Sequence, residues 1–356
     1  MRKLIVPLLV ALAGFFGWAE QNKELTAEGW MLLGSQYLAQ GAYDAAFIAY
    51  QQAVKKDPNN PRALYGLGLV QLKLGLLNPA IENLKRALAL DASYLPAYLA
   101  LARAYLELAR ESEDPEMARQ SLQKALSVLK DAERLAPDDP AVYNLKGEIL
   151  AAMGEREKAI EAFKKAVEVD PKNPAALYNL ALAYLSAGML DEAIATLERA
   201  IEADPENAYL RARLGALLAV KGDLDRAEEV LLEAVKLDPE NSLAWDYLGQ
   251  VRMQKGDLAG AIAALLKAIE LDPFAYPEAY FYLGQAYLKQ GNAEKAKYYF
   301  TKAVVLSPKN ADYRYWLGLA NEKLGDLEGA RAQYQEALKL DPNHKEAKEA
   351  LARIGG

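Results

Sequence analysis

The chain has 356 residues, 52% of them apolar and 26% charged, and its 42 basic and 49 acidic residues leave a formal charge of −7. That apolar share suffices for a folded core, while the acidic balance and the lack of a basic cluster exclude phosphate-tracking nucleic-acid binding and electrostatic docking on an anionic membrane. No cysteine is present, so disulfides do not hold the fold and no lipid can be carried on an N-terminal cysteine.

The first nineteen residues stand apart. Arg2 and Lys3 precede an apolar run from Leu4 to Trp18, and Gly17-Trp18-Ala19 sets small residues at the −3 and −1 positions of a cleavage site. This is the pattern of a secretory signal peptide cut after Ala19. It implies export to a periplasmic or other extracytoplasmic compartment of a bacterial-type cell envelope. The alternative is an uncleaved anchor, the one case in which membrane contact is expected. The run is short for a span and is broken by Pro7 and Gly14. Residues 20–26 form a lead-in.

From residue 27 a period takes over. Pro137, Pro171, Pro205, Pro239 and Pro273 stand 34 residues apart, and Pro308 and Pro342 resume the beat after one extra residue. A fixed period of this size denotes identical supersecondary units stacked in a row. The first copy reads W-x-x-L-G-x-x-Y from Trp30 to Tyr37 and continues with Ala46, Tyr50, Ala53 and Pro58. The copy at 174–207 carries Leu177, Leu180, Ala181, Tyr184, Gly188, Ala193, Leu197, Ala200 and Pro205 at matching offsets. These motifs resemble the tetratricopeptide repeat, a helix–turn–helix unit of 34 residues, and the resemblance runs from about residue 27 to 344. It implies an all-α, right-handed superhelical solenoid. Nine repeats are counted: 27–60, 61–94, 95–139, 140–173, 174–207, 208–241, 242–275, 277–310 and 311–344.

The pattern also has its own physics. In each first helix, positions 4, 7, 8 and 11 share one face. Position 8 is small (Gly34, Gly68, Ala102, Gly147, Ala181, Gly215, Gly249, Gly284, Gly318), which lets the second helix approach; positions 20 and 27 of each repeat are alanine. Glycines from Gly41 to Gly325 stand between the two helices, where a left-handed residue ends the first. An Asp-Pro step at the repeat's end stops the second. Ala92 replaces that proline in the second repeat, Lys146 takes an apolar slot in the fourth, and Arg211 and Arg314 occupy position 4.

The third repeat carries eleven extra residues around Glu107–Glu116. Eleven residues make about three helical turns, so both flanking phases survive if each arm lengthens. Asp114 as N-cap and Pro115 behind it start a long second helix reaching about Leu135. A projecting hairpin follows, either a tolerated insertion or a docking point. After the last repeat, Lys345 to Ile354 makes a helix with Ala347, Ala350, Leu351 and Ile354 on its apolar face, suited to capping the open end; 345–356 is capping helix and tail.

Catalytic chemistry is not expected. His344 is the sole histidine, with no cysteine to pair with and no metal-ligand spacing around it. No phosphate-cradling glycine loop occurs, because the glycines fall one per turn. No catalytic residue, metal site, cofactor or small-molecule substrate is therefore assigned.

Positions 2, 5, 9 and 12 of the first helices form a second stripe, about 130° from the first. In the solenoid that the resemblance implies, this stripe lines the concave wall, which in that family commonly holds peptides. Positions 5 and 9 supply Tyr65 and Leu69, Leu99 and Arg103, Tyr178 and Leu182, Phe281 and Gln285, and Tyr315 and Leu319 as candidate peptide-binding residues. Asn144 and Glu148, Ala212 and Ala216, and Asp246 and Gln250 make the wall polar or small in between. Exposed aromatics in a groove suit partner binding, although adjacent first helices also bury these positions. Family members that clamp a C-terminal carboxylate resemble one another in Lys and Asn at positions 5 and 9; no repeat here has that pair, and Arg103 and Arg213 look isolated. The expected ligand is an apolar or amphipathic peptide segment. The function expected is a non-enzymatic protein–protein interaction scaffold of the envelope. Alternatives are a periplasmic holdase with broad weak specificity, an accessory subunit positioning an envelope enzyme, and self-association through the C-terminal repeat.

Overall fold

A computed structural model describes residues 25–355; the segment read as a signal peptide and most of the lead-in lie outside the described residues. Nineteen helices and no strand occur among the described residues. They fall into two bodies, one up to Pro171 and one from Lys172.

The N-terminal body holds four helical pairs: α1 (Ala27–Ala39) with α2 (Tyr43–Lys56), α3 (Pro61–Lys73) with α4 (Leu77–Leu90), α5 (Leu95–Glu111) with α6 (Pro115–Leu135), and α7 (Pro140–Ala152) with α8 (Arg156–Val169). The C-terminal body holds five more: α9 (Pro174–Ser186) with α10 (Leu190–Ala203), α11 (Ala208–Lys221) with α12 (Leu224–Leu237), α13 (Ser242–Lys255) with α14 (Leu258–Leu271), α15 (Pro277–Lys289) with α16 (Ala293–Leu306), and α17 (Ala311–Lys323) with α18 (Leu327–Leu340). The single helix α19 (Lys345–Gly355) ends it. In each body every helix packs on its partner and on the next helix in the chain. First helices of successive repeats also touch, as α1, α3, α5 and α7 do. Within each body the first helices form a wall, with the second helices behind it.

Local chemistry explains why the pairs recur. Asn60 caps α3 by accepting from the N–H groups of Arg62 and Ala63, and Pro61 fills the first helical position, where no N–H is needed. All eight inter-helix glycines, Gly41 to Gly325, have φ between +72° and +89°, the region that spares only glycine a steric cost. Second helices end on an extended residue: Asp57, before Pro58, has ψ 91°. Asp91 has ψ 93° although Ala92 follows it. There the Asp91 carboxylate accepts from the Ser93 N–H at 2.9 Å, the Asx turn also made by Asp238 and Asp341 before their prolines, and in addition from the Ser93 hydroxyl at 2.7 Å.

Close approach of the paired helices is set at position 8. A Cβ on Gly147 would lie 2.5 Å from the Phe163 ring, and one on Gly284 would lie 2.5 Å from the Phe300 ring. Each ring therefore sits directly on backbone. Full burial of a phenylalanine contributes about 3 kcal/mol, so this ring-on-glycine contact is a main stabilising element of these two pairs. The alanines at positions 20 and 27, from Ala46 and Ala53 through Ala330 and Ala337, are buried throughout.

The insertion divides between both arms as the turn count requires. α5 has 17 residues where α3 and α7 have 13, and α6 has 21 where α4 and α8 have 14. Asp114 caps α6, accepting from the Glu116 N–H at 2.9 Å. At the other end α19 buries Ala347 and Ala350, with Leu351 and Ile354 against Ala330, Tyr334 and Tyr315. Arg353 clamps Glu322 with two bonds of 3.1 and 2.8 Å, and the Tyr334 hydroxyl donates to the same carboxylate at 2.7 Å. Burial and that anion together push the Tyr334 phenol well above its ordinary range.

Candidate functional site

Four of the ten predicted residues come together. Tyr65, Leu69, Leu99 and Arg103 line one groove of about 670 Å³ within the N-terminal body. Its floor is completed by Leu72, Leu77, Leu95, Ala100 and Leu145; its charged edge consists of Lys73, Glu107, Glu111 and Asp139. The groove runs along α3 and α5 to the start of α7. On the helical wheel, positions 2, 5, 9 and 12 place Leu72 beside Leu69. Position 13, which holds Lys73 in α3 and Glu107 in α5, lies about 20° from position 2.

Arg103 is not the isolated cation that the sequence implied. Its Nη1 and Nη2 donate to the two carboxylate oxygens of Glu148 on α7, at 2.8 and 3.2 Å. The planar fork is thus occupied, and its charge is cancelled across two repeats. Asn144 supports the pair by donating to the same Glu148 at 3.3 Å. Tyr65 stands against Tyr94 with ring centroids 5.1 Å apart in an edge-to-face contact. Burial raises the Tyr65 phenol, which stays neutral.

The C-terminal body distributes the other six differently. Tyr178 and Leu182 lie on α9, and Leu182 is exposed at 42%. The Tyr178 hydroxyl is 2.9 Å from that of Tyr209 on α11. Arg213 donates to the Tyr209 oxygen from Nε at 2.9 Å and Nη2 at 2.8 Å, and to Tyr247 on α13 at 3.2 Å. Its guanidinium also sits 4.9 Å from the Tyr209 ring centroid. This arginine is not isolated either: Tyr209 and Tyr247 hold it, and Tyr209 is bonded in turn to Tyr178. Burial, reinforced by the Tyr209 bond, pushes Tyr178 up to about 12. Burial also acts to raise Tyr209, but the bonds from Tyr178 and Arg213 outweigh it and the phenol falls below its ordinary value.

Phe281 and Tyr315 are spent largely on packing. Phe281 stacks on Tyr313 with centroids 4.8 Å apart and meets the Phe300 and Trp316 rings at 5.8 and 5.9 Å. Tyr315 lies among Tyr334, Trp316 and His344. Gln285 and Leu319 are half-buried beside them. On α13, Asp246 is buried to 3% exposure instead of lining an open polar stretch. Its Oδ2 accepts from Gln250 at 2.8 Å, and its Oδ1 has no partner. Burial, with the Glu278 carboxylate adding to it, raises its carboxyl from 3.8 to about 7.

His344 is the N-cap of α19: its Nδ1 accepts from the Ala347 N–H at 3.3 Å, and its Nε2 lies 3.2 Å from Asp312. Among the described residues no His, Cys, Asp and Glu cluster of metal-binding geometry occurs, and no helix is long and apolar enough to cross a membrane.

Comparisons with known proteins agree with the stacked pairs. Family models described as tetratricopeptide repeat match residues 61–94, 144–208, 184–251 and 281–345, and one described as TPR repeat matches 34–75 and 249–291. The chain belongs to the tetratricopeptide repeat family. It is similar to the thermophilic TPR protein TTC0263 of Thermus thermophilus, with 42% identity and a TM-score of 0.50, over 55% of this chain and all of that one. Among curated proteins it is 27% identical to tetratricopeptide repeat protein 37 of Xenopus laevis over 33% of this chain. It is 36% identical to human DnaJ homolog subfamily C member 7 over 22%. The chain spans 8% and 17% of the lengths of those two relatives.

Proposed function

We propose that this chain is a non-enzymatic protein–protein interaction scaffold that holds an apolar or amphipathic peptide segment in the groove of α3, α5 and α7. One observation carries the reading: a groove of about 670 Å³ floored by Tyr65, Leu69, Leu72, Leu95, Leu99 and Leu145 on three successive repeats. Such a surface keeps its charged groups along one edge, and its apolar length suits side chains spaced along a peptide. The cell envelope is the proposed site of action, on the strength of the leader pattern in residues 1–19.

The test is photo-crosslinking in the envelope from residue 99, in place of Leu99, with residue 327 as comparison site. Leu327 lies exposed at the start of α18 and does not line the groove. One or two discrete adducts specific to residue 99 are expected. A broad smear of envelope proteins would replace the scaffold by a holdase, and no adduct would overturn the groove reading.

A further inference from the structure

The eleven-residue insertion has a place in this groove. A first helix of ordinary length starting at Leu95 would stop at Glu107; the extra turn continues the same stripe to Glu111, and both glutamates line the groove. The Arg103–Glu148 pair neutralises itself. What remains on the lining is Lys73 against Glu107, Glu111 and Asp139, the last engaged as the N-cap of α7, where it accepts from the Ala141 N–H at 2.8 Å. Arg110 bonds Glu107 at 2.7 Å but is half exposed, so solvent screens that pair. The end of α5 adds negative potential of its own. No backbone N–H closes its C-cap at Ser112, whereas α3 and α7 are closed by Leu74 and Met153. Its last carbonyls therefore carry the negative end of the helix dipole, directly beside Glu111.

We infer that the lengthened α5 is an acidic lip that makes the groove select an apolar segment bearing Lys or Arg on its polar side. This inference rests on the groove reading above and names the partner's chemistry. The floor holds the apolar side chains, and the lip discriminates through charge complementarity, an effect that salt weakens. The insertion is thus a specificity element of the inner wall, in place of a separate docking knob.

The experiment uses the full chain and three fluorescein-labelled amphipathic peptides that share one apolar face of leucines and carry Lys, Gln or Glu on the other. Fluorescence anisotropy should rank affinity Lys, then Gln, then Glu, with a Lys-to-Glu ratio of about tenfold at low salt that shrinks as salt rises. In the Glu107→Gln/Glu111→Gln variant the Lys-to-Glu ratio should fall to about twofold. In the Leu69→Ala/Leu99→Ala variant all three peptides should weaken together. Equal binding of Lys and Glu peptides, or a preference that survives the glutamine variant, would overturn the acidic lip alone. Absence of binding, or binding indifferent to the alanine variant, would overturn the groove itself.

Discussion

Replacing Asp246 with asparagine should stabilise the C-terminal body at neutral and alkaline pH and do almost nothing in acid. The carboxyl is buried on α13, with one oxygen bonded to Gln250, the other unpartnered, and Glu278 of α15 nearby. Tyr247 of α13, Tyr282 of α15 and Tyr313 of α17 are the other titratable neighbours, all with phenols raised chiefly by burial. In the unfolded chain an aspartate titrates near about 3.9; in the fold Asp246 titrates at about 7. Between those values the native state keeps a proton that the unfolded chain has released. More protons are bound natively, so stability falls as pH rises through this window. Below it both states are protonated and the effect vanishes; above it the full penalty applies. That rise in the carboxyl's pKa corresponds to about 4 kcal/mol as a ceiling. Asparagine keeps the bond from Gln250 and cannot ionise. Hydrogen exchange at the α13 and α15 amides, which reports local opening in a repeat array, should show the variant protected more strongly than the parent at pH 8. The two should converge near pH 4 once intrinsic exchange is divided out. The parent–variant difference also cancels groups that act in the opposite sense, such as Glu322, which Arg353 holds below the usual carboxylate range. A variant that opens more readily at pH 8, or a difference that ignores pH, would refute the buried-charge argument.

Gly284→Ala should cost about 1–3 kcal/mol, because its Cβ would meet the Phe300 ring at 2.5 Å; an unchanged melting midpoint would mean that α15 and α16 are not in ring-on-backbone contact. Deleting residues 345–355 uncovers Tyr334 and Tyr315 and removes Arg353 from Glu322. Sedimentation should then show concentration-dependent association, and a strictly monomeric truncation would deny α19 a capping role. The proposed export predicts that intact-mass measurement of the chain finds Glu20 as its first residue; a membrane-bound chain beginning at Met1 would identify an anchor.

The helical architecture was legible because every error averages out over nine copies. The glycines with positive φ, the buried alanines and the division of the insertion between both arms follow from offsets visible in the sequence. The wall was legible only where the stripe met open space. Tyr65, Leu69, Leu99 and Arg103 converge because positions 5 and 9 of consecutive first helices are neighbours. Tyr209 stood on the same stripe at position 2 and was overlooked because only positions 5 and 9 were read. Arg213 and Tyr247 occupy position 6, about 40° from position 2, just outside a stripe drawn too narrow. Helical phase shows which way Phe281 faces but not that Tyr313 and Trp316 of the next repeat enclose it. The burial of Asp246 has no sequence signal, since an aspartate on a wall face reads as solvated until its neighbours are in place.

The bonds from Tyr178 through Tyr209 and Arg213 to Tyr247 cross three successive repeats. In a simple stack, each repeat is held by its two neighbours alone and peels off singly. Here the guanidinium is a shared rivet. Pulling the α9 pair away strips a tyrosine from the chain that steadies Arg213, and the contact to α13 loosens with it. Under a stretching force along the stack, these three pairs should yield as one event and leave a single long step in the extension trace.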